Sequence, residues 1–356
     1  MSTSRAPTPS LEPMLARLAR EIPAGNYVYE PKWDGFRCLA FKSGPRVDLR
    51  SRHQRPMARY FPEVVKALQS LGSGELVLDG ELVVAGADGL DFPALLGRLH
   101  PAASRVERLR REAPACFIAF DVLFAGDEDL MPVPFRARRA RLERIIQTAA
   151  PPLLLTPATG DRSVAQDWLD RFRGQGIDGV IAKALELTYQ PGRRAMVKIK
   201  RERTAECVVA GFRFQADRPV LGSLLLGLHD AAGALCHVGV ASSFTEAKRR
   251  ELLAELGPLR VCLHGHPWER GFGIGPNPVG RLAGSAGRWD PSEMDLDWTP
   301  LRPERVCEVG FDQLDACRFR HPARFLRWRP DREPRSCSLN QLAPLSSPVA
   351  EVLSLP

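Results

Sequence analysis

The chain has 356 residues, 44% hydrophobic and 26% charged, which is typical of a globular protein of about two domains. Lys and Arg total 50 against 42 Asp and Glu, and the net charge of +8 favours an anionic partner without identifying it. There is no run of about 18 apolar residues and no apolar signal core near the start, so the sequence predicts neither a membrane span nor secretion.

Short apolar strands alternate with amphipathic helices along the first half of the chain. A strand at 27–29 is predicted to form a hairpin with a second strand at 38–41. The helix at 135–148 carries Arg139, Arg141 and Arg144, which form either a solvated face or a contact with nucleic-acid phosphates. Ser163 is the expected N-cap of a later helix. The other predicted elements are strands at 76–84, 117–124, 179–182 and 196–199 and helices at 63–71 and 164–172.

The second half is predicted to consist mainly of short strands, interrupted by a helix at 245–256 that is capped by Thr245. Its strands are expected at 207–212, 223–228, 235–240, 305–309 and 316–319. Five strands and one helix favour a small Greek-key barrel of the OB type. The Gly/Pro-rich stretch 271–300 is either a long binding loop or a mobile insertion. The predicted domains are residues 1–202 and 203–333, followed by a C-terminal tail at 334–356.

Lys32 stands in the segment EPKWDGFR, immediately after a predicted strand. Asp-Gly after a strand is also a common hairpin turn, so the segment alone leaves a structural and a catalytic interpretation open. A lysine attacks only as the neutral amine, which requires desolvation or neighbouring positive charge. Arg37, Lys198 and Lys200 could supply that charge, and Asp34 could orient the amine or accept its proton.

Further short segments follow Lys32 in a fixed order. They are SR at 51–52, LDGELV at 78–83, FIAFDVL at 117–123, DGVIAK at 178–183, MVKIK at 196–200 and RFLRWRPDR at 324–332. This ordered series resembles the covalent nucleotidyltransferase superfamily of ATP-dependent DNA ligases, RNA ligases and mRNA capping enzymes. The segments KIKRERTAECVVAGF, GSLLLGL and ARFLRWRPDREPRSC are most similar to the bacterial stand-alone C-type ATP-dependent DNA ligases.

The resemblance implies an α+β protein: an adenylating nucleotidyltransferase domain of antiparallel sheets with flanking helices, followed by an OB-fold barrel. It implies an enzyme that seals nicks in duplex DNA through a lysyl-AMP intermediate and a DNA-adenylate, in DNA repair. It further implies a monomer in the bacterial cytosol or nucleoid, with ATP and nicked duplex DNA as partners and no membrane association.

Two alternative functions are weighed against this one. An RNA ligase or capping enzyme shares the superfamily, and an RNA strand at the nick would be recognised through 2′-hydroxyl contacts. A non-catalytic OB-fold nucleic-acid binder would retain a decayed transferase domain. Decay would remove charged site residues first, whereas Lys32, Glu81, Lys198 and Lys200 are all present.

The resemblance also implies how the nucleoside is bound. Lys32 would attack the α-phosphate of ATP and carry the resulting AMP, with Asp34 beside it. Glu30 would accept a hydrogen bond from the adenine edge, which disfavours guanine. Phe120 would stack on one face of the base and Ile181 would pack on the other.

Phosphate and metal binding are implied for the charged residues. Lys198 and Lys200 would neutralise charge on the α-phosphate, and Glu81 and Asp178 would bind Mg²⁺ or Mn²⁺. Asp178 stands where the family more often has Glu, so its shorter side chain would reach the metal through a water molecule. The remaining residues implied to bind the nucleotide are Arg37 and Arg52 at the ribose and phosphates, Lys183, and Arg327, Arg329, Asp331 and Arg332 over the leaving pyrophosphate.

Overall fold

The computed structural model describes residues 8–342, except 73, 87–88, 172–175, 201–202, 216–217, 273–297, 313 and 316. The chain folds into two compact units, a first unit that extends to Lys200 and a second unit that begins at Arg203. In the described part of the chain, no helix is long and apolar enough to cross a membrane.

The first unit combines β-strands with short helices. In chain order its described elements are β1 (Leu15–Ala19), β2 (Tyr27–Trp33), β3 (Phe36–Ser43), β4 (Arg46–Ser51), α1 (Pro62–Gln69), β5 (Leu76–Gly86), β6 (Gly89–Leu90), α2 (Phe92–Gly97), α3 (Ala103–Glu112), β7 (Ala115–Ala125), β8 (Glu128–Asp129), α4 (Phe135–Gln147), β9 (Leu153–Leu155), α5 (Arg162–Arg171), β10 (Ile177–Ala184) and β11 (Arg194–Ile199).

These strands form two sheets. The four-stranded sheet has the order β1-β11-β10-β2, with β1 parallel to β11 and the other neighbours antiparallel. The seven-stranded sheet has the order β4-β3-β5-β7-β8, with β6 paired to β5 and β9 paired to β7. Buried residues of both sheets pack together in two clusters, one around Tyr29 and Ile118 and the other around Leu39 and Met196. The two sheets therefore face each other across a shared core.

The predicted hairpin between residues 27–29 and 38–41 is wrong. β2 pairs with β10, whereas β3 pairs with β4 and β5 in the other sheet. The chain crosses from one sheet to the other at Gly35, where a Cβ atom would lie 2.2 Å from the Leu82 carbonyl oxygen. Only glycine allows so close an approach to β5. The Asp-Gly segment is therefore a crossing between sheets, and it places Lys32 near the end of β2.

The helices of the first unit follow their sequence pattern. Val64 and Leu68 of α1 are buried, as the helical spacing predicts. Helix α5 begins at Arg162, so the prediction of Ser163 as its N-cap is wrong. The Asp161 carboxylate instead accepts hydrogen bonds from the Ser163 backbone N–H at 2.7 Å and from its hydroxyl at 2.8 Å. An aspartate before the first turn satisfies the same exposed N–H groups.

The second unit is a closed barrel. Its described elements are β12 (Arg203–Gln215), β13 (Arg218–His229), β14 (Leu235–Ser242), α6 (Glu246–Leu256), β15 (Thr299–Phe311), β16 (Leu314–Asp315), β17 (Arg318–Phe319) and β18 (Ala323–Trp328). The barrel closes in the order β12-β13-β14-β18-β15. Thr245 caps α6 by accepting a hydrogen bond from the Lys248 backbone N–H. The predicted α+β class with a C-terminal barrel is confirmed.

The fifth barrel strand differs from the predicted one at 316–319. β18 pairs with β14 and β15 and closes the barrel, whereas β17 pairs with β16 in a two-stranded sheet. Phe319 is instead a core residue whose ring stacks on Phe311 at 4.6 Å. The sequence does not predict β18 as a strand because the composition of this segment is basic. Phe325 and Trp328 pack on the core, and the arginines beside them face outward.

Residues 334–342 are predicted to begin a C-terminal tail, but they pack on the barrel. Two short 3₁₀ helices, Pro334–Ser336 and Leu339–Leu342, follow β18. Cys337 and Leu342 are buried in the barrel core, which explains why this segment belongs to the second unit. Of the Gly/Pro-rich stretch 271–300, residues 273–297 lie outside the described residues.

Candidate active site

Three neighbouring strands of the four-stranded sheet bring together residues from three sequence motifs. Glu30 of β2 lies opposite Ile181 of β10, and Ile181 in turn lies opposite Lys198 of β11. Directly opposite residues project from the same face of a sheet. Lys32 follows Glu30 by two positions and therefore shares its face. The strand register thus places Glu30, Ile181 and Lys198 in one row across the sheet, with Lys32 next to that row on the same face.

Lys32 is held in a cluster of opposite charges. Its Nζ lies 2.8 Å from Oδ2 of Asp178, and Nζ of Lys200 lies 3.1 Å from the same oxygen. The Lys32 side chain is 24% exposed, so the amine is partly desolvated yet open to a ligand. The Asp34 backbone N–H donates to the Gly176 carbonyl oxygen at 2.8 Å and fixes the chain beyond Lys32 to the start of β10.

Glu30 is a buried carboxylate with two cationic partners. It is 2% exposed, and its Oε2 lies 2.8 Å from Nζ of Lys183. Lys183 also donates to the Phe120 carbonyl oxygen at 2.8 Å, so one buried ammonium fixes both Glu30 and Phe120. The second partner is Arg139 of α4, whose Nη1 lies 3.4 Å from Oε1 of Glu30 and whose Nε donates to Glu143 at 2.7 Å.

Arg139 therefore does not belong to a solvated face, and its contact is with a carboxylate of the site. Its side chain is 11% exposed, whereas Arg144 on the same helix is exposed. The basic pattern of α4 gives no sign of this difference, because the pattern shows which residues are charged but not which face meets β2. The sequence interprets Arg139 only as a solvated residue or a contact with nucleic-acid phosphates, and it misses the contact with Glu30.

The facing sheet contributes Arg37 and Phe120. Arg37 forms two hydrogen bonds of 2.6 Å to the carboxylate of Asp79, which is fully buried. Tyr189 donates to the same carboxylate at 2.7 Å and accepts from the Met14 backbone N–H at 2.9 Å. This network holds the Arg37 guanidinium 4.5 Å from the centre of the Phe120 ring. Asp79, itself bound by Tyr189, thus fixes the orientation of Arg37 beside Phe120.

Two groups in the site have perturbed acidities. Burial raises the pKa of Glu81 to about 7, although Arg37 and Lys32 act in the opposite direction. Burial also lowers the pKa of Lys198, and the charges of Lys200 and Lys32 lower it further. Perturbed pKa values of a carboxyl group and an amine that line the same cavity are typical of a functional site.

A cavity of about 200 Å³ connects these residues. The predicted site residues that line it are Glu30, Lys32, Arg37, Arg52, Glu81, Phe120, Ile181, Lys183 and Lys198. Asp178 adjoins it through its contact with Lys32, and Lys200 pairs with Asp178. Arg194 and Met196 of β11 also line the cavity, although the sequence does not single out Arg194.

The remaining predicted residues lie in the second unit, where they form ion pairs. Arg327 Nε lies 2.7 Å from Oε2 of Glu308, and Arg329 Nη2 lies 2.7 Å from Oδ2 of Asp331. Arg329 also pairs with Glu206, and so does Arg332. Hydrogen bonding to Arg329 lowers the pKa of Asp331 to about 2. These arginines form one cluster on the surface of the barrel.

The carboxylates of the first unit fit a divalent cation that also binds phosphate oxygens. Among the described residues, no group of three or more His, Cys, Asp or Glu side chains could hold a metal. Mg²⁺ is often bound by only one or two carboxylates, with substrate phosphates and water completing its shell. Glu81 and Asp178 both lie near Lys32 and supply two such groups.

Comparisons with known proteins give a consistent result. The family model "ATP dependent DNA ligase domain" matches residues 13–200, and the model "ATP dependent DNA ligase C terminal region" matches residues 217–332. The chain is 49% identical to DNA ligase C2 of Mycolicibacterium smegmatis over 94% of each chain. It is 47% identical to DNA ligase C of Mycobacterium tuberculosis over 97% of each chain. A solved structure from a study of Lig E DNA ligases shares the fold, with a TM-score of 0.55 at 18% identity, over 89% of this chain and 99% of that one.

Proposed function

The chain belongs to the family of ATP-dependent DNA ligases, and we propose that it seals nicks in duplex DNA through an AMP adduct on Lys32. The observation that carries the proposal is the Lys32 amine in a cavity that also contains Glu30, Phe120 and Lys198. A reactive amine beside a base-sized cavity with a buried carboxylate acceptor suits the capture of a nucleoside triphosphate.

In the first step, Lys32 transfers AMP to itself. Its Nζ must lose a proton before attack, and Oδ2 of Asp178, at 2.8 Å, is the nearest acceptor described. A bond forms between Nζ and the α-phosphorus as the bond to the bridging oxygen breaks and pyrophosphate leaves. Lys198 and Lys200 supply fixed positive charge where negative charge develops. Mg²⁺ or Mn²⁺ held by Glu81 and Asp178 would supply further neutralisation of the phosphates.

The α-phosphate of the AMP group also takes part in the later steps. The 5′-phosphate of the nick displaces Lys32 and takes the AMP, and the 3′-hydroxyl then attacks that 5′-phosphate and expels AMP. The excess of Lys and Arg over Asp and Glu supports binding of duplex DNA through its phosphates, without sequence preference. The proposal includes a monomeric enzyme in the bacterial cytosol that acts in DNA repair; the relatives named DNA ligase C and C2 come from bacteria.

Recognition of adenine is assigned to Glu30. Its ionised carboxylate accepts hydrogen bonds and therefore matches the adenine amino group, whereas guanine presents a carbonyl oxygen at that position. Lys183, whose Nζ lies 2.8 Å from Oε2, holds the Glu30 carboxylate in place. Phe120 and Ile181, which both line the cavity, supply the apolar surfaces for the base.

The function is tested with ATP labelled at the α-phosphate. We expect the label to remain on the denatured protein, and the protein to seal a nicked duplex. GTP labelled in the same position should transfer far less label, since mismatched polar groups in a dedicated site discriminate by up to about 10⁴. Equal labelling by both nucleotides would contradict the assignment of Glu30 and favour a capping-type enzyme.

Arg139 is expected to contribute to this selectivity by holding Glu30. Replacement of Arg139 by alanine should raise the ATP concentration for half-maximal labelling by about 3- to 10-fold, or about 1 kcal/mol, and should reduce the preference over GTP. The matched control is Arg144→Ala on the exposed face of the same helix, which should leave both quantities unchanged. If the two variants behave alike, Arg139 has no role in reading the base.

A further inference from the structure

Two acidic residues lie directly opposite each other on the barrel. Glu206 of β12 and Glu308 of β15 are cross-strand partners, and each side chain is less than one-fifth exposed, at 17% and 18%. Like charges at opposite positions in a sheet repel each other and destabilise it unless cations lie between them. The pair therefore needs nearby positive charge.

Three arginines at the C-terminal end of the barrel supply that charge. Arg327 pairs with Glu308, Arg332 Nε lies 2.5 Å from Oε2 of Glu206, and Arg329 pairs with Glu206 and lies 3.8 Å from Glu308. Glu206 thus pairs with Arg329 and Arg332, the two arginines that follow β18. It joins β12, at the beginning of the second unit, to the segment that follows β18.

The two arginines bound to Glu206 differ in whether their guanidinium groups can still bind another anion. Arg329 directs Nε and Nη2 to Asp331 and Nη1 to Glu206, and its side chain is 18% exposed. Its charge is therefore already balanced by carboxylates. Arg332 forms an ion pair with Glu206, and its side chain is 38% exposed, so its terminal Nη groups can still bind another anion.

We infer that Glu206 is a positioning residue that holds Arg332 in place to bind the pyrophosphate portion of ATP. Arg329 has a structural role, because it links Glu206 to Asp331. This inference rests on the proposed adenylation reaction. An arginine held beside a carboxylate by an ion pair keeps its guanidinium in one region, which reduces the entropy lost when its Nη groups bind phosphate. Glu206 itself touches no reacting atom and acts through Arg332.

The structure offers a way to remove this side chain without disturbing the strand. The backbone of Glu206 is held independently, because its N–H donates to the side chain of Gln341 at 3.0 Å and its carbonyl oxygen accepts from the same amide at 3.2 Å. The matched control is Glu304 of β15, which is 54% exposed and pairs with Arg302 at the surface.

The experiment compares Glu206→Ala, Glu206→Gln and Glu304→Ala in two assays, labelling by ATP and sealing of a nick that already carries AMP. Glu206→Ala should slow labelling by about 10-fold and leave sealing unchanged, because pyrophosphate takes part only in the first step. Release of AMP from labelled enzyme by added pyrophosphate should slow by the same factor. Glu206→Gln retains an acceptor oxygen and should lose less, and Glu304→Ala should match the unmodified enzyme.

A double-variant comparison separates this inference from the proposed function. If Glu206 acts through Arg332, adding Glu206→Ala to Arg332→Ala should slow labelling no further. If Arg332→Ala slows labelling but Glu206→Ala does not, or accelerates it, the positioning role is wrong and the proposed function stands. Equal losses in labelling and sealing for Glu206→Ala would indicate a purely structural role. If Arg332→Ala labels normally, the proposed pyrophosphate contact itself fails.

Discussion

Replacement of Lys32 by alanine is expected to abolish labelling of the protein by ATP, a loss of at least about 10³-fold. Lys32 supplies the only atom that forms a bond to the α-phosphorus in the proposed first step. Lys200 is bound to Asp178, and Lys198 is assigned to the α-phosphate as a charge, so neither is expected to replace Lys32 as the nucleophile. The measurement is retention of α-phosphate label on the denatured protein.

The same variant should keep some activity on a nick that already carries AMP, because that substrate bypasses the first step. Lys66→Ala, an exposed lysine on α1, serves as the control and should label normally. Matching thermal unfolding of both variants would show that the fold is unchanged. Label that persists on Lys32→Ala would assign the nucleophile to another residue and overturn the proposed mechanism.

The composition of the site could be predicted from the sequence because it depends on local pattern. Alternation along β2 places Glu30 and Lys32 on one face, and the short segments around them carry the acidic and basic residues of a phosphate-transfer site. Resemblance to the nucleotidyltransferases then indicates that these segments meet in space. The cavity does contain residues from six of them, represented by Lys32, Arg52, Glu81, Phe120, Ile181 and Lys198.

What the sequence could not supply is the pairing that depends on distant parts of the chain. The partner of β2 is β10, roughly 150 residues later, while the local Asp-Gly signal favours the adjacent strand. From the sequence, Gly35 is interpreted as a turn glycine; the structure shows instead that it lies against the backbone of β5. The inward orientation of Arg139 depends likewise on how α4 packs on β7 and β9. Such features are set by tertiary packing, which overrides local propensity.

The residue expected to show the second-largest effect is Lys198, whose ammonium is assigned to the α-phosphate. That phosphate is present in every step, first in ATP, then on Lys32 and finally in the DNA-adenylate. Lys198→Ala should therefore slow both labelling by ATP and sealing of a pre-adenylated nick by about 10²–10³, the usual cost of losing an electrostatic stabiliser. Glu206→Ala should affect the first assay alone, so the two variants distinguish two parts of the reaction.

The acidity of Lys198 adds a second test. Burial, reinforced by Lys200 and Lys32, lowers its pKa, so its charged form is lost at a lower pH than that of an ordinary lysine. If the charged form is the active one, the rate of sealing should fall as pH rises through that pKa. Lys198→Arg keeps a charge that does not titrate in this range. It should shift the alkaline fall in rate to higher pH while retaining more activity than Lys198→Ala. An unchanged alkaline limb in Lys198→Arg, or a Lys198→Ala variant that seals pre-adenylated nicks normally, would place this ammonium away from the α-phosphate.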